Sequence, residues 1–183
     1  MLSYWYFSLL AAAIPFAWTK QVTIVRNRMV STLAILPKQF DISFDFYATK
    51  WIGGWTNILH LTTGPNCCGI GSRIPAIFPL GGKLHFAFAV SGNGNYVVPT
   101  PKLPLRKWMN FRINQRFEGG KYVFRVYYNN KVLRTVVNTR PQDFRNVKVW
   151  VGDNWFNAQP GYIRNLRITN KPVVAAAPSG KLC

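Results

Sequence analysis

Hydrophobic and polar residues alternate with a period of two through much of this chain. In Gln39–Lys50, Phe40, Ile42, Phe44 and Phe46 fall on one side and Asp41, Ser43, Asp45 and Tyr47 on the other. That alternation predicts a strand with one buried face. The stretch Trp108–Val137 predicts three more strands. Met109, Phe111 and Ile113 alternate with Asn110, Arg112 and Asn114; a turn at Glu118-Gly119-Gly120 leads into Tyr122–Tyr128, and Asn129-Asn130 leads into Lys131–Val137. Asn129-Asn130 suits a two-residue type I′ turn, which needs positive φ at both positions. Such a turn sets Val126 opposite Leu133 and Arg125 opposite Arg134. The glycine turn admits two registers, with either Asn114 or Arg112 opposite Arg125. Both put Arg112, Arg125 and Arg134 on one face, because a two-residue shift preserves the face.

The remaining pattern predicts an edge strand in Gln21–Leu36, strands at Trp55–Thr62 and Tyr162–Thr169, and a pair formed by Arg73–Phe78 and Lys83–Val90. Asn146–Gly152 is a further strand with Val147, Val149 and Val151 inward. Thr63–Ser72, Ser91–Asn95 and Asp153–Gly161 read as loops or turns from their Gly, Asn and Pro content. Pro99, Pro101 and Pro104 exclude a central strand from Val97–Arg106. No stretch keeps a helical period. Ten or so short strands predict an all-β, two-sheet antiparallel jelly-roll sandwich occupying residues 20–169 as one domain.

Charge changes the picture most. Among 183 residues there are 23 Lys and Arg against 5 Asp and Glu, a formal charge of +18 and a pI near 10.4. Such a balance attracts polyanions: sulfated glycans, acidic proteins, nucleic acid, anionic lipid or a mineral surface. The aromatic content, seven Trp included, excludes a disordered basic tail. Met1–Thr19 is apolar and uncharged and reads as a secretory signal peptide, with Ala11-Ala12-Ala13 and Ala17-Trp18-Thr19 as alternative cleavage sites. The expected location is extracellular, with no membrane span after signal cleavage and no physiological nucleic-acid partner. Asn170–Cys183 reads as a flexible tail. In an oxidising compartment Cys183 is expected to bond Cys67 or Cys68, or a second chain to give a disulfide-linked dimer. There is no C-x-x-C and only two His, which speaks against zinc, and there is no N-glycosylation sequon.

The succession F-D-I-S-F-D-F, W-T-N-I-L-H-L, R-I-P-A-I-F, K-L-H-F-A-F, K-W-M-N-F-R-I, Y-V-F-R-V-Y-Y-N-N-K-V, V-K-V-W-V-G-D and G-Y-I-R-N-L-R-I resembles the laminin-G-like, concanavalin A-like jelly roll. The resemblance spans Phe40 to Ile168. It implies two antiparallel sheets and extracellular binding to glycans or matrix proteins, without fixing a ligand. The basic, Trp- and Asn-rich C-terminal half is also similar to secreted invertebrate matrix proteins, those of biomineralised shells included.

Candidate chemistry falls into three groups. Asp41-x-Ser43-x-Asp45 resembles the catalytic strand of laminarinase-like glycoside hydrolases, but its middle acid is Ser and its outer acids are short. A retaining mechanism needs two carboxyls about 5–5.5 Å apart, and four strand steps separate Asp41 from Asp45. Asp41 and Asp45 therefore read better as partners for the arginines. Asp153, after V-W-V-G, is the one rim position where laminin-G-like domains hold calcium; calcium wants several carboxylates, so no metal or cofactor is expected. His60 and His85 lie in apolar strands and read as packed side chains, and Gly92-x-Gly94 reads as a turn.

The expected function is that of a secreted, non-enzymatic matrix protein. Arg112, Arg125, Arg134 and Lys148, with Arg116 beside them, form a basic platform for polyanionic glycans, acidic matrix proteins or mineral. The first alternative is a neutral-carbohydrate lectin using Trp155, Asn154 and Asn157. Trp51, Trp55 and Phe156 are further loop aromatics able to stack on sugar. The second alternative is a glycoside hydrolase using Asp41 and Asp45.

Overall fold

The computed structural model describes residues 16–169, which form fifteen strands. In chain order they are β1 (Phe16–Trp18), β2 (Val22–Thr23), β3 (Met29–Leu36), β4 (Phe40–Ala48), β5 (Thr56–Asn57), β6 (Leu59–Thr62), β7 (Ala76–Leu80), β8 (Lys83–Val90), β9 (Asn93–Pro99), β10 (Trp108–Glu118), β11 (Lys121–Tyr128), β12 (Lys131–Asn138), β13 (Phe144–Trp150), β14 (Asn157–Ala158) and β15 (Gly161–Thr169). A seven-stranded antiparallel sheet runs β1-β15-β4-β10-β11-β12, with β2 also on β15. A six-stranded antiparallel sheet runs β3-β13-β6-β7-β8-β9, and β14 and β5 make a short parallel pair.

The two sheets meet through the alternation seen in the sequence. Phe40, Ile42, Phe44 and Phe46 of β4 and Met109, Phe111 and Ile113 of β10 are all buried, as are Val147, Val149 and Val151. Phenylalanines lock the layers together across the interface: Phe40 meets Phe88 at 5.2 Å, Phe111 meets Phe86 at 5.5 Å and Phe124 meets Phe88 at 5.1 Å between ring centres. Each ring fully buried this way contributes about 1.5–3 kcal/mol. β9 occupies the edge of its sheet, where Pro99 ends it without breaking a central ladder. Ser91–Asn95 is only partly a turn, because β9 begins at Asn93.

Two registers matter for function. The glycine turn takes its two-residue form, pairing Glu118 with Lys121 and Asn114 with Arg125. Asn129 and Asn130 have φ of 46° and 63°, and Tyr128 pairs with Lys131 as expected. The expected Arg125–Arg134 pair does not form. The ladder slips between Val126 and Tyr127, so that Tyr127 faces Val132 while Val126 faces Arg134 and Arg125 faces Thr135. Leu133 is the extra residue of a bulge, and it packs against the core.

Candidate functional site

The outer face of the seven-stranded sheet carries the predicted basic platform in altered form. Arg112 Nε donates to both carboxylate oxygens of Asp41 at 2.8 and 3.0 Å, and Arg116 Nη2 lies 3.4 Å from the same group. Asp41 is fully buried beneath them. Arg125 grips Glu118 with two parallel bonds of 2.8 and 2.7 Å. These hydrogen bonds raise the pKa of both Arg112 and Arg125 and hold the Glu118 carboxyl below its ordinary value. Asp45 accepts from Asn110 at 2.9 Å, Arg164 at 3.2 Å and Asn165 at 2.8 Å, the last two brought together by a second bulge, in β15. The acids of Asp41-x-Ser43-x-Asp45 thus serve the cations. Both oxygens of Asp41 are taken up by Arg112.

Two platform members stand elsewhere. Arg134 sits opposite the buried Val126 and is missing from the open depression that Arg112, Arg116, Arg125 and Tyr127 line. Lys148 is on β13, paired with Thr32 and Thr62 in the other sheet, so it faces out from the opposite side of the sandwich. The bulge and the sheet assignment, neither visible in local alternation, separate these residues.

A different site lies on the outer face of the six-stranded sheet. Phe78 of β7, His85 and Ala87 of β8 and Asn95 and Val97 of β9 line a groove of about 320 Å³, with Trp55, Arg73 and Phe156 from three loops. Phe78 and Ala87 are buried, and the small Ala87 side chain leaves depth between larger neighbours. Trp55 is 47% exposed and stands edge-on to His85 at 4.9 Å and to Phe78 at 6.4 Å. Phe156 meets Phe78 at 4.9 Å. His85 Nδ1 lies 3.2 Å from the Phe78 carbonyl, an acceptor, so that nitrogen carries a proton and Nε2 is left for a ligand.

The wall that carries Phe156 is fastened from inside. His60 Nδ1 lies 2.8 Å from Asp153 Oδ2, and His60 Nε2 donates to the Ser72 carbonyl at 2.8 Å. Asp153 Oδ1 accepts from the backbone N–H groups of Trp155 and Phe156 at 3.1 and 2.8 Å. Asn57 Oδ1 accepts from the Asp153 N–H. Trp155 leans on the His60 ring at 5.2 Å rather than lining the groove. Asn154 receives Arg26 on its backbone carbonyl, and Asn157 opens β14 beside Thr56. Trp51 is packed against Phe46 at 6.3 Å. Calcium does not fit at Asp153: its oxygens already face N–H donors and an imidazole. Among the described residues no group of three or more His, Cys, Asp or Glu is placed to hold a metal ion.

Nearby, Cys67 and Cys68 are bonded to each other across a cis peptide bond, in the loop before Arg73. Cys183, the partner expected for one of them, lies outside the described residues, as do Met1–Pro15 of the expected signal segment.

No protein-family model and no curated protein sequence matches the chain. Solved structures do match. A SAP-like pentraxin from Limulus polyphemus superimposes with a TM-score of 0.55 at 13% identity, over 84% of this chain and 77% of that one. The IT-sialidase CBM40 of Ruminococcus gnavus bound to α2,3-sialyllactose gives 0.53 at 14%, over 86% and 94%. The receptor-binding domain of botulinum neurotoxin type G gives 0.55 at 11%, over 88% of this chain but less than half, 44%, of that one. The fold is the concanavalin A-like jelly roll. At such identities the likeness establishes architecture alone. Within this jelly roll, Trp55 and Phe156 were visible in the sequence as loop aromatics; Arg73, His85, Asn95 and Val97 were not, since nothing local marks them as neighbours. Among the described residues no helix is long and apolar enough to cross a membrane.

Proposed function

We propose that this jelly roll is a non-enzymatic glycan-binding domain and that the groove between Trp55 and Phe156 is its ligand site. The groove itself carries this reading. It combines an exposed Trp, a buried aromatic floor and a few convergent polar groups, Arg73, Asn95 and His85, at the small end of the size range of ligand sites. A sugar presents an apolar ring face to aromatic side chains and hydroxyls to polar ones. Two solved structures of the same fold support it through their bound ligands, α2,3-sialyllactose on the Ruminococcus gnavus CBM40 and arabinotriose on domain 4 of the Geobacillus stearothermophilus arabinanase AbnA. A glycan array with wild type, Trp55→Ala and Phe156→Ala tests it. Binding that disappears in both variants supports the groove; binding that survives both rules it out.

The basic face supports a second reading. Arg112, Arg116 and Arg125 line an open depression of about 590 Å³ on a chain of charge +18. In this reading the protein is secreted into an extracellular matrix and attaches to acidic polymers or mineral through that face. Elution from a polyanion column at rising salt tests it, because ion pairing weakens steeply with ionic strength while stacking on sugar does not. Arg112→Ala with Arg125→Ala should elute earlier than a variant lacking two scattered bases, such as Lys20 and Lys102.

A further inference from the structure

Arg73 is set in the groove before any ligand arrives. Its Nε donates to the Asn66 carbonyl at 3.0 Å, and its Nη1 donates to Asn95 Oδ1 at 2.6 Å. Its guanidinium lies 4.7 Å from the centre of the Phe78 ring. Nη2 has no protein acceptor among the described residues. Partial burial lowers the pKa of this group, with Asp153 opposing the shift.

Among the described residues none of the five acids lies within salt-bridge distance of Arg73, Asp153 acting only from farther off. Of these acids, Asp41 is bound to Arg112 and Arg116, Asp45 to Arg164 and Glu118 to Arg125. Asp143 accepts the Lys38 N–H, and Asp153 is tied to His60 and two backbone N–H groups. A half-desolvated cation costs free energy unless an anion compensates it. An anion in the groove would supply the contact counter-charge that no described side chain gives, beside a cation already oriented by Asn66 and Asn95.

We infer that the groove selects anionic sugars, with Arg73 taking the carboxylate or sulfate oxygens while the sugar ring packs on Trp55. This inference rests on reading the groove as a glycan site. The guanidinium is a planar fork whose donors match either oxyanion. Asn95 holds the fork in place, and His85 Nε2 is available to a neighbouring hydroxyl.

The test uses the full chain against an array of neutral glycans, their carboxylate-bearing counterparts and their sulfated counterparts, followed by titration of the ligands found. Acidic members should bind at least tenfold more tightly than neutral counterparts, and the comparison of the two acidic arms says which oxyanion is taken. Arg73→Gln should erase that preference, and Arg73→Lys should restore it only in part. Val97→Trp, at a 40% exposed position on the edge strand, should block all binding by filling the groove. If Arg73→Gln fails to fold, the wild-type ratio and Val97→Trp still decide. Equal binding of neutral and acidic glycans, lost in Trp55→Ala, overturns the anionic preference and keeps the groove. Acidic binding indifferent to Trp55→Ala and Val97→Trp but lost on removing Arg112 and Arg125 overturns the groove as well. Binding to no glycan overturns both.

Discussion

His60 and Asp153, 93 residues apart in the chain, meet at 2.8 Å with both side chains fully buried. The Ser72 carbonyl can only accept, so His60 Nε2 carries a proton, and Nδ1 shares a second proton with the carboxylate. The pair ties β6 to the loop that holds Phe156 against the groove. Asp153→Ala strands the imidazole and two backbone N–H groups, and should cost about 3–5 kcal/mol. Asp153→Asn should cost far less: its amide can donate to a neutral Nδ1 while its oxygen keeps the backbone bonds. Urea unfolding of the two variants checks the difference, and equal losses would contradict the proton arrangement.

The arginines of the seven-stranded sheet are expected to be unequal in stability. Arg112 compensates the buried Asp41, with Arg116 as a second cation. Arg112→Ala should cost about 1.5–3 kcal/mol, the range for hydrogen bonds to charged groups. Arg134→Ala, at an exposed position outside any ion pair among the described residues, should change stability by less than about 0.5 kcal/mol. Thermal melts of the two variants decide this.

Glu118 provides a pH test. Its hydrogen bond to Arg125 depresses the folded-state pKa of the carboxyl. The stabilisation is therefore present above the unfolded-state value and is lost as pH falls through the folded one. The pair is exposed, so its contribution at neutral pH is about 0.2–1 kcal/mol. Glu118→Gln should be less stable than wild type by that amount at pH 7 and equal to it at pH 2. A difference that grows on acidification would reverse the sign.

If Met1–Thr19 is a leader, the two cleavage sites expected from the sequence differ in consequence. Phe16 and Trp18 pack on the core, and β1 pairs with β15 through Phe16↔Ile168 and Trp18↔Leu166. A chain starting after Ala13 keeps this strand, and one starting at Lys20 loses it. The shorter chain should be less stable by about 2 kcal/mol for the aromatic surface uncovered. If the chain is secreted, N-terminal sequencing of the secreted protein is expected to find the longer form.

What local pattern revealed depended on what decides each feature. The β4 and β10 faces were legible because a period of two with one buried side leaves a single choice of face. The Asn129-Asn130 turn was legible because positive φ favours those residues. The Arg125–Arg134 pairing was not, because a bulge beyond the turn depends on how Leu133 reaches the core. The sheet that takes Lys148 depends on strand order, which alternation does not encode. The groove was least accessible: Trp55, Arg73, Asn95 and Phe156 come from separate loops and an edge strand, and only the completed sandwich makes them neighbours. Charge pointed to the opposite face, since +18 says nothing about which arginines the five acids already hold.

The β12 bulge also bears on how copies of the protein behave at high concentration. β12 ends its sheet among the described residues, with backbone groups on its free side available to a further strand. A straight, apolar margin of this kind invites edge-to-edge addition and filament growth. Here the slip at Leu133 breaks the regular spacing of those groups, and the exposed Lys131 and Arg134 bring like charges to any second copy. The irregularity that moves Arg134 away from Arg125 thereby guards the sheet against self-templated extension.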